Sequence, residues 1–377
     1  MKITVVMGFF LPVPAAAGGA TEKSWEGLAR AFAAQGHEVT VISRQWPGWP
    51  TRETVAGVCH LRLRGHAHTQ KLIANLWWDF IWSWRVWFSL PAADVTIVNC
   101  VALPVWLGWL RRRSGSLVVM PGRMPKGQYR LYRRVDRVLV GSSSLADAVA
   151  AENPGLAAAT RVLGCPIDHT ALAAGPRVRG AVLTIGFVGR IHREKGIDLL
   201  VASLRLLAAR SDLPPWRVFL CGPVDVARGG SGESYAAEVR ETINVFLPSN
   251  RFELRSPVFE AKALSDVYRE IDVFCYPSLA ARGETFGVAV AEAMAAGAVP
   301  VVSKLPCFTD FVEPGVSGET FDHSAKDAPA QLAAALGRLL SDHARRHQMA
   351  QAAREAVRRY DFPHFAATLL ADFSTLK

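Results

Sequence analysis

Short apolar runs alternate with stretches of helical periodicity, and they do so twice along the chain. Lys2–Met7 reads as a buried strand, Leu11–Gly19 as a Pro/Gly/Ala loop, and Thr21 to Gln35 as a helix stopped by Gly36. Further strands are predicted at Glu38–Ser43, Asp94–Cys100, Ser116–Met120 and Arg137–Gly141. Ser142–Ser144 supplies the cap of a helix running through Ala151, and Asn153-Pro154-Gly155 ends it. Gly164–Gly180 is rich in Gly, Pro and Ala, lacks a period, and reads as the connection between two domains. The alternation then restarts with strand Leu183–Val188, loop Gly189–Gly196, helix Ile197 to Ala209 and strand Arg217–Cys221. Strands also fit Phe252–Leu254, Val273–Tyr276 and Val299–Val302, with helices near Ser265–Glu270 and Val288–Ala296. Two rounds of strand–helix alternation predict an α/β protein with two Rossmann-like, doubly wound parallel-sheet domains. Ligands of such sheets bind beyond the carboxyl ends of the strands, so chemistry is sought in the loops that follow them.

The chain has 377 residues, half of them hydrophobic and 20% charged. That is enough for a core in each of two domains, and it excludes a disordered, collagen-like or disulfide-scaffold protein. Six cysteines (Cys59, Cys100, Cys165, Cys221, Cys275, Cys307) stand far apart, with no CxxC pair and no histidine at zinc spacing. This usage points to a reducing cytosol. Met1–Val6, with one lysine and a short apolar run, reads as a strand and not as a cleavable signal. The longest apolar stretches are Leu76–Leu90, broken by Asp79 and Arg85, and Val98–Leu110. Both fall short of the roughly 20 residues that span a bilayer. The net charge of +10 is unevenly spread: residues 1–173 hold 19 Lys+Arg against 10 Asp+Glu, residues 174–377 hold 24 against 23. Ten of the eleven tryptophans share the basic half, Trp216 being the exception.

Three loops carry candidate chemistry. Gly18-Gly19, after the first strand and before a helix, lets backbone approach a ligand and offers helix N–H groups to an anion. The spacing is not GxGxxG, and a plain turn is the alternative. In Phe187–Gly196 (Phe-Val-Gly-Arg-Ile-His-Arg-Glu-Lys-Gly), Arg190 and Lys195 sit in a loop above a sheet and suit a diphosphate. A solvated loop with scattered cations is the alternative. In Tyr276–Gly297, Glu284 precedes Phe286-Gly287, which opens a helix, and Glu292 lies inside that helix among small apolar residues. A carboxylate there is costly to bury unless hydrogen-bonded. Ribose hydroxyls are natural donors to it, and the helix start at Phe286–Val288 suits phosphate; a structural carboxylate paired with a neighbouring strand is the alternative. The chain has no Asp-x-Asp sequence for a divalent metal.

Taken in order, these motifs form a specific combination: Gly18-Gly19, the strand–helix step Asp136–Ser143 (Asp-Arg-Val-Leu-Val-Gly-Ser-Ser), Val-Gly-Arg-(x)4-Lys-Gly, Cys221-Gly222-Pro223 and Glu-(x)7-Glu. Over nearly its whole length the chain resembles the retaining GT-B glycosyltransferases of glycosyltransferase family 4. The resemblance implies two domains facing each other across a cleft, an acceptor-side domain at 1–173 and a nucleotide-sugar-binding domain at 174–355. A C-terminal helix within 356–377 would return to the first domain. It also implies transfer of a hexosyl group from a nucleotide diphosphate sugar with retention, forming an α-glycosidic bond. Arg190 and Lys195 would neutralise the diphosphate, aided by Gly18, Gly19 and the amides of Phe286, Gly287 and Val288. Glu292 would bind the ribose hydroxyls and Glu284 those of the transferred sugar. The leaving diphosphate would itself take the acceptor proton. Preorganised cations and a helix N-terminus stabilise such a leaving group, so neither metal nor cofactor is expected.

The chain departs from the family pattern on the acceptor side. A histidine that many relatives carry after the strand matched by Ser116–Met120 is absent from Met120-Pro-Gly-Arg123-Met-Pro125, and another is missing near Asn99-Cys100. The domain-joining Asn-Gly-Val-Asp appears as Cys165-Pro-Ile-Asp168. Asn99 and Arg123 are therefore acceptor-side candidates by position alone.

Leu76–Leu90 reads as a helix, with Trp77, Phe80, Ile81, Trp84 and Phe88 on one face and Trp78 and Trp82 on a neighbouring face that ends at Arg85. Trp87 joins them as an interface candidate. So broad an apolar surface, near the cations of Arg111–Arg113 and Tyr129–Arg134, suits a bilayer interface. Each cation near an anionic surface contributes about 1 kcal/mol. A core helix or a homodimer face is the alternative. The acceptor expected is a glycan or a lipid-linked acceptor, used in polysaccharide or glycolipid biosynthesis at the cytoplasmic face of the cell membrane, with no nucleic-acid partner. The membrane reading makes it lipid-linked, such as a polyprenyl-diphosphate glycan whose diphosphate a basic groove could receive. Two other classes stay open. A sugar-nucleotide epimerase of the same fold would isomerise its donor without acceptor. A basic nucleic-acid-binding protein would bind with a steep salt dependence and without need of Glu284.

Overall fold

The computed structural model describes residues 1–16, 19–69, 71–111, 113–120, 122–175 and 180–376. The chain divides into two compact units, Met1–Pro166 with Phe362–Lys377, and Ile167–Asp361.

The first unit contains β1 (Lys2–Val6), α1 (Ala20–Ala34), β2 (Glu38–Arg44), β3 (Arg52–Val55), β4 (Val58–Leu63) and α2 (Leu72–Ser89). It continues with β5 (Val95–Val98), α3 (Leu103–Leu107), β6 (Ser116–Val119), β7 (Arg137–Val140), α4 (Ser143–Glu152) and β8 (Thr160–Val162). The strands form one sheet in the order β3-β4-β2-β1-β5-β6-β7-β8. Ile3 lies between Val39 of β2 and Val95 of β5 in parallel register. β5 and β7 are buried along their whole length, as strands covered on both faces must be, which is why they read as unbroken apolar runs.

The hairpin β3–β4 has no counterpart in the hydropathy pattern, and its inverted polarity explains why. Along β4 the buried positions are Val58, His60 and Arg62, while Leu61 and Leu63 are half-buried. Arg62 is tolerated inside because it donates to the Pro50 carbonyl at 2.8 Å, pairs with Glu53 and stacks over Trp49 at 4.7 Å.

The second unit begins with α5 (His169–Ala173), then β9 (Leu183–Val188), α6 (Ile197–Ala208), β10 (Trp216–Cys221), α7 (Glu233–Asn244), β11 (Phe252–Arg255) and α8 (Ala261–Arg269). β12 (Val273–Tyr276), α9 (Val288–Ala295), β13 (Val299–Ser303), β14 (Glu319–Phe321), α10 (Ala328–Ser341) and α11 (His343–Val357) complete it. Its parallel sheet runs β11-β10-β9-β12-β13-β14.

The last helix, α12 (Phe362–Phe373), belongs to the first unit and packs on α1, with the Phe362 ring against Gly27. Arg137, at the head of β7, is held there by Asp372 at 2.9 Å and Thr375 at 3.1 Å. The units meet in sequence at Pro166–Ile167, ahead of the expected position 173. Ile167 N–H donates to Tyr360 O at 2.9 Å and Thr170 Oγ1 donates to Asp361 Oδ2 at 2.6 Å, which binds residues 167–173 to the second unit.

The tryptophan helix α2 starts four residues before the expected Leu76, and the structure corrects part of its expected interface. Trp82 is core: it is 1% exposed, and its indole N–H donates to Met7 O at 2.9 Å. Trp78 and Trp87 are half-buried against the same core, Trp78 stacking on His66 at 3.5 Å. Asp79, Ser83 and Val86 are buried on the same side of the helix. Leu72, Leu76, Phe80, Trp84 and Phe88, at four-residue steps, remain exposed, as do Ile73 and Trp77. Among the described residues, no helix is long and apolar enough to cross a membrane.

Candidate active site

In the second sheet β9 comes first in sequence. The chain builds β10 and β11 on one side of it, then places β12, β13 and β14 on the other. The loops after β9 and β12 therefore leave in different directions and open a crevice at the strand ends. The first of these loops carries Arg190 and Lys195, the second Ser278 and Glu284.

Glu284 is the centre of this group. Ser278 Oγ donates to its Oε1 at 2.9 Å, Tyr276 Oη at 3.1 Å, and Lys195 Nζ forms an ion pair with the same oxygen. The Lys195 and Glu284 side chains are only 7% and 8% exposed. Burial pushes the Tyr276 hydroxyl well above its usual pKa, and the Glu284 carboxylate adds to the rise, so the phenol stays a donor. Its ring stacks on Phe187 at 5.4 Å and lies 5.6 Å from Lys195 Nζ. Arg190 is half-exposed and anchored by Gly229 O at 2.8 Å and Glu194 at 2.6 Å, so an incoming anion shares or displaces Glu194.

The start of α9, at Val288, follows Ser278 and Glu284 in the same loop–helix segment. Gly287 adopts φ +100° at its N-cap, and a Cβ there would come within 2.5 Å of the Phe308 ring. Phe286 is buried between Phe311 at 4.6 Å and Tyr360 at 5.0 Å, which fixes the backbone where the helix begins. The first amides of a helix have no intrahelical acceptor, so Gly287 and Val288 sit where an anion is favoured. Glu292, one turn further, accepts from the buried Tyr268 hydroxyl at 2.7 Å. Burial, then Glu292, holds that hydroxyl well above its usual pKa.

The remaining predicted residues lie in the first unit. Gly18 falls outside the described residues. Gly19 caps α1 at φ +102°, with the Glu22 carboxylate so close that a Cβ would stand 2.0 Å from it. Gly19, Asn99 and Arg123 line one cavity of about 400 Å³. The cavity occupies the equivalent place in that sheet, beyond the carboxyl ends of β1, β5 and β6, where the strand order also reverses. Asn99 is held by its neighbours: its Oδ1 accepts from Trp25 Nε1 at 2.8 Å and its amide donates to Val6 O at 3.3 Å. Arg123 is exposed and acts electrostatically on Glu22, whose carboxyl is raised by burial. Asp79, also on the cavity, is raised to about 6 by burial, against the pull of the Val101 and Ala102 amides.

The sequence reading passed over Tyr276, Ser278, Tyr268 and Asp79. The first two stood inside the motif that yielded Glu284, but neutral hydroxyls carry no charge signal to single them out. Among the described residues, no three His, Cys, Asp or Glu gather as a metal site.

Both units are α/β, and in each the strand order reverses beside the strand that comes first in sequence, with polar side chains on the loops that follow. Residues 18–171 match Glycosyltransferase Family 4 and residues 176–356 match Glycosyl transferases group 1. A D-inositol 3-phosphate glycosyltransferase of Xylanimonas cellulosilytica is 32% identical over 305 residues, 75% of this chain and 67% of that protein. Its namesake in Corynebacterium urealyticum is 30% identical over 75% of this chain, a match that spans 57% of the relative's length. A phosphatidyl-myo-inositol mannosyltransferase of Mycolicibacterium smegmatis is 32% identical over 51% of this chain and 45% of its own. The sucrose-phosphate synthase structure from Thermosynechococcus elongatus superposes with a TM-score of 0.78 at 20% identity, covering 100% of this chain and 99% of that one, a likeness of fold. The chain belongs to glycosyltransferase family 4 and has the GT-B fold.

Proposed function

We propose that the chain is a retaining glycosyltransferase that moves a hexosyl group from a nucleoside diphosphate sugar to a lipid-linked or glycan acceptor. The observation that carries this reading is the convergence of Lys195, Tyr276 and Ser278 on Glu284 Oε1, in the crevice that also holds Arg190. A carboxylate gripped by three donors is poorly suited to form a bond to carbon and well suited to fix the hydroxyls of a sugar. Arg190 and the amides at the start of α9 take the diphosphate, and Glu292, positioned by Tyr268, takes the ribose. The bond from the sugar's anomeric carbon to the diphosphate breaks as the acceptor oxygen bonds to the same face of that carbon. The acceptor's proton passes to the departing diphosphate oxygen. Charge on the leaving group is met by the chain's own cations and helix dipole, so a chelator leaves turnover unchanged.

The names of the curated relatives support a phosphate-bearing polyol, free or lipid-borne, as acceptor. The exposed apolar edge of α2 supports contact with a membrane surface, on its cytoplasmic side, where nucleotide sugars are made. Glu284→Ala should lower kcat by at least about 100-fold, the scale for removing one preorganised polar group. NMR of the product should show the donor's anomeric configuration retained. Turnover near that of the parent protein, or an inverted product, refutes the proposal.

A further inference from the structure

The second sheet ends at β11, and a small polar cavity of about 220 Å³ lies on β10, β11 and the turn that precedes β11. Its polar lining is Arg217, Arg251, Arg255, Glu253, Ser249 and Asn250, and none of the residues assigned to donor or acceptor reaches it. We propose that this cavity binds a small phosphate monoester, at a site separate from the transfer chemistry.

Three guanidinium groups line it, each fixed in place with donors to spare. Arg255 lies over the Phe219 ring at 4.0 Å and Arg251 over the Trp216 ring at 4.3 Å. Stacking of this kind holds the plane of a guanidinium and leaves its edge free to donate. Arg251 Nε donates to Trp216 O at 2.8 Å, and Arg217 Nε donates to Thr184 Oγ1 at 3.1 Å. Among the described residues, no partner accepts from the Nη1 atoms of the three arginines or from Nη2 of Arg251.

The charges here do not balance. Glu270 offers a single oxygen to two arginines, at 3.3 Å from Arg217 and 3.0 Å from Arg255. Glu253 pairs with Arg255 at 2.8 Å from a side chain that is 57% exposed. So exposed a pair contributes little and yields to a competing anion. Arg251 forms no ion pair among the described residues, and burial pulls its pKa below the usual value. An anion in the cavity compensates that charge. Phosphate suits it best, because its oxygens match the guanidinium fork and a monoester carries close to two charges at neutral pH. Clefts that hold drug-sized ligands run from about 300 to 1,000 Å³, so this one takes a smaller molecule, a phosphate with a few carbons. Ser249 and Asn250, both exposed, offer a hydroxyl and an amide to the hydroxyls of that skeleton.

The test is a calorimetric titration with glycerol 1-phosphate at pH 7.5 and fixed ionic strength, without nucleotide sugar. A saturable site should appear that glycerol alone does not fill. Arg251→Gln should weaken it at least about tenfold, the lower end for hydrogen bonds to a charged group. Arg251→Lys, which keeps the charge and loses the planar fork, should fall between the parent and Arg251→Gln. Arg217→Gln supplies the same reading should Arg251→Gln fail to fold. Arg190→Gln and Arg123→Gln should leave this site unchanged. No saturable binding overturns the proposal. So does binding that survives both Arg251→Gln and Arg217→Gln, which would place the phosphate in the donor crevice or at the acceptor.

Discussion

Lys195 and Glu284 form an ion pair whose two side chains are more than nine-tenths buried, 89 residues apart in sequence. Removing one partner from such a pair costs about 3–5 kcal/mol, because the other is left buried without compensation. Tyr276 and Ser278 still reach Glu284 when the lysine is gone, so Lys195→Met should fall at the low end of that range. The double variant Lys195→Met with Glu284→Gln should regain most of the lost stability in urea unfolding while staying inactive. Recovery of turnover together with stability would contradict a functional role for the pair.

Tyr268 and Glu292 offer a subtler comparison, since their bond of 2.7 Å orients one carboxylate without touching the crevice centred on Glu284. Tyr268→Phe should raise KM for the donor by about 3- to 10-fold, the net worth of one ordinary hydrogen bond, with kcat largely kept. Glu292→Gln should do the same or more. An equal fall in kcat with unchanged KM would mean that the pair acts on the reacting centre instead.

The strands that position both sites were legible because buried parallel strands have no polar face to interrupt them, as in Val95–Val98 and Val273–Tyr276. β4 was not, since its inward positions are His60 and Arg62, made tolerable by Pro50, Glu53 and Trp49, none of which a local pattern reveals. The charged side chains Arg190, Lys195, Glu284 and Glu292 stand out in their sequence motifs, and the structure pairs Lys195 with Glu284. Their neutral supports do not stand out, because the geometry that recruits Tyr276 or Tyr268 is set by strand order. Trp82 shows the reverse failure: a helical wheel gives the faces of α2 but not which one meets the sheet, and the Met7 carbonyl that receives its indole lies 75 residues away.

That division of α2 predicts two distinct phenotypes. Replacing Trp77, Trp84 and Phe88 together by serine should release the protein from anionic vesicles in a sedimentation assay, with a stability cost that comes mainly from Trp84, which stacks on Trp106 at 4.6 Å. Trp82→Ala should instead cost about 3–5 kcal/mol, the usual penalty for emptying a buried aromatic site. Vesicle binding that survives the triple substitution would remove the membrane from the proposed function.

Asp79 should leave its mark on stability. Burial raises its carboxyl from 3.8 to about 6, so the folded protein holds this proton more tightly than the unfolded chain does. Where the folded state binds more protons, stability falls as pH rises; the loss runs from about pH 4 to about pH 6 and is complete above that. A rise of this size corresponds to about 3 kcal/mol. Asp79→Asn keeps an oxygen for the Val101 and Ala102 amides but carries no charge to desolvate. The variant should therefore be more stable than the parent at pH 7.5, by up to about 3 kcal/mol, with the gap closing toward pH 4. Urea unfolding of both proteins at four pH values between 4.5 and 7.5 measures that gap. Parallel profiles would show that Asp79 titrates normally and that burial in the folded protein does not desolvate it.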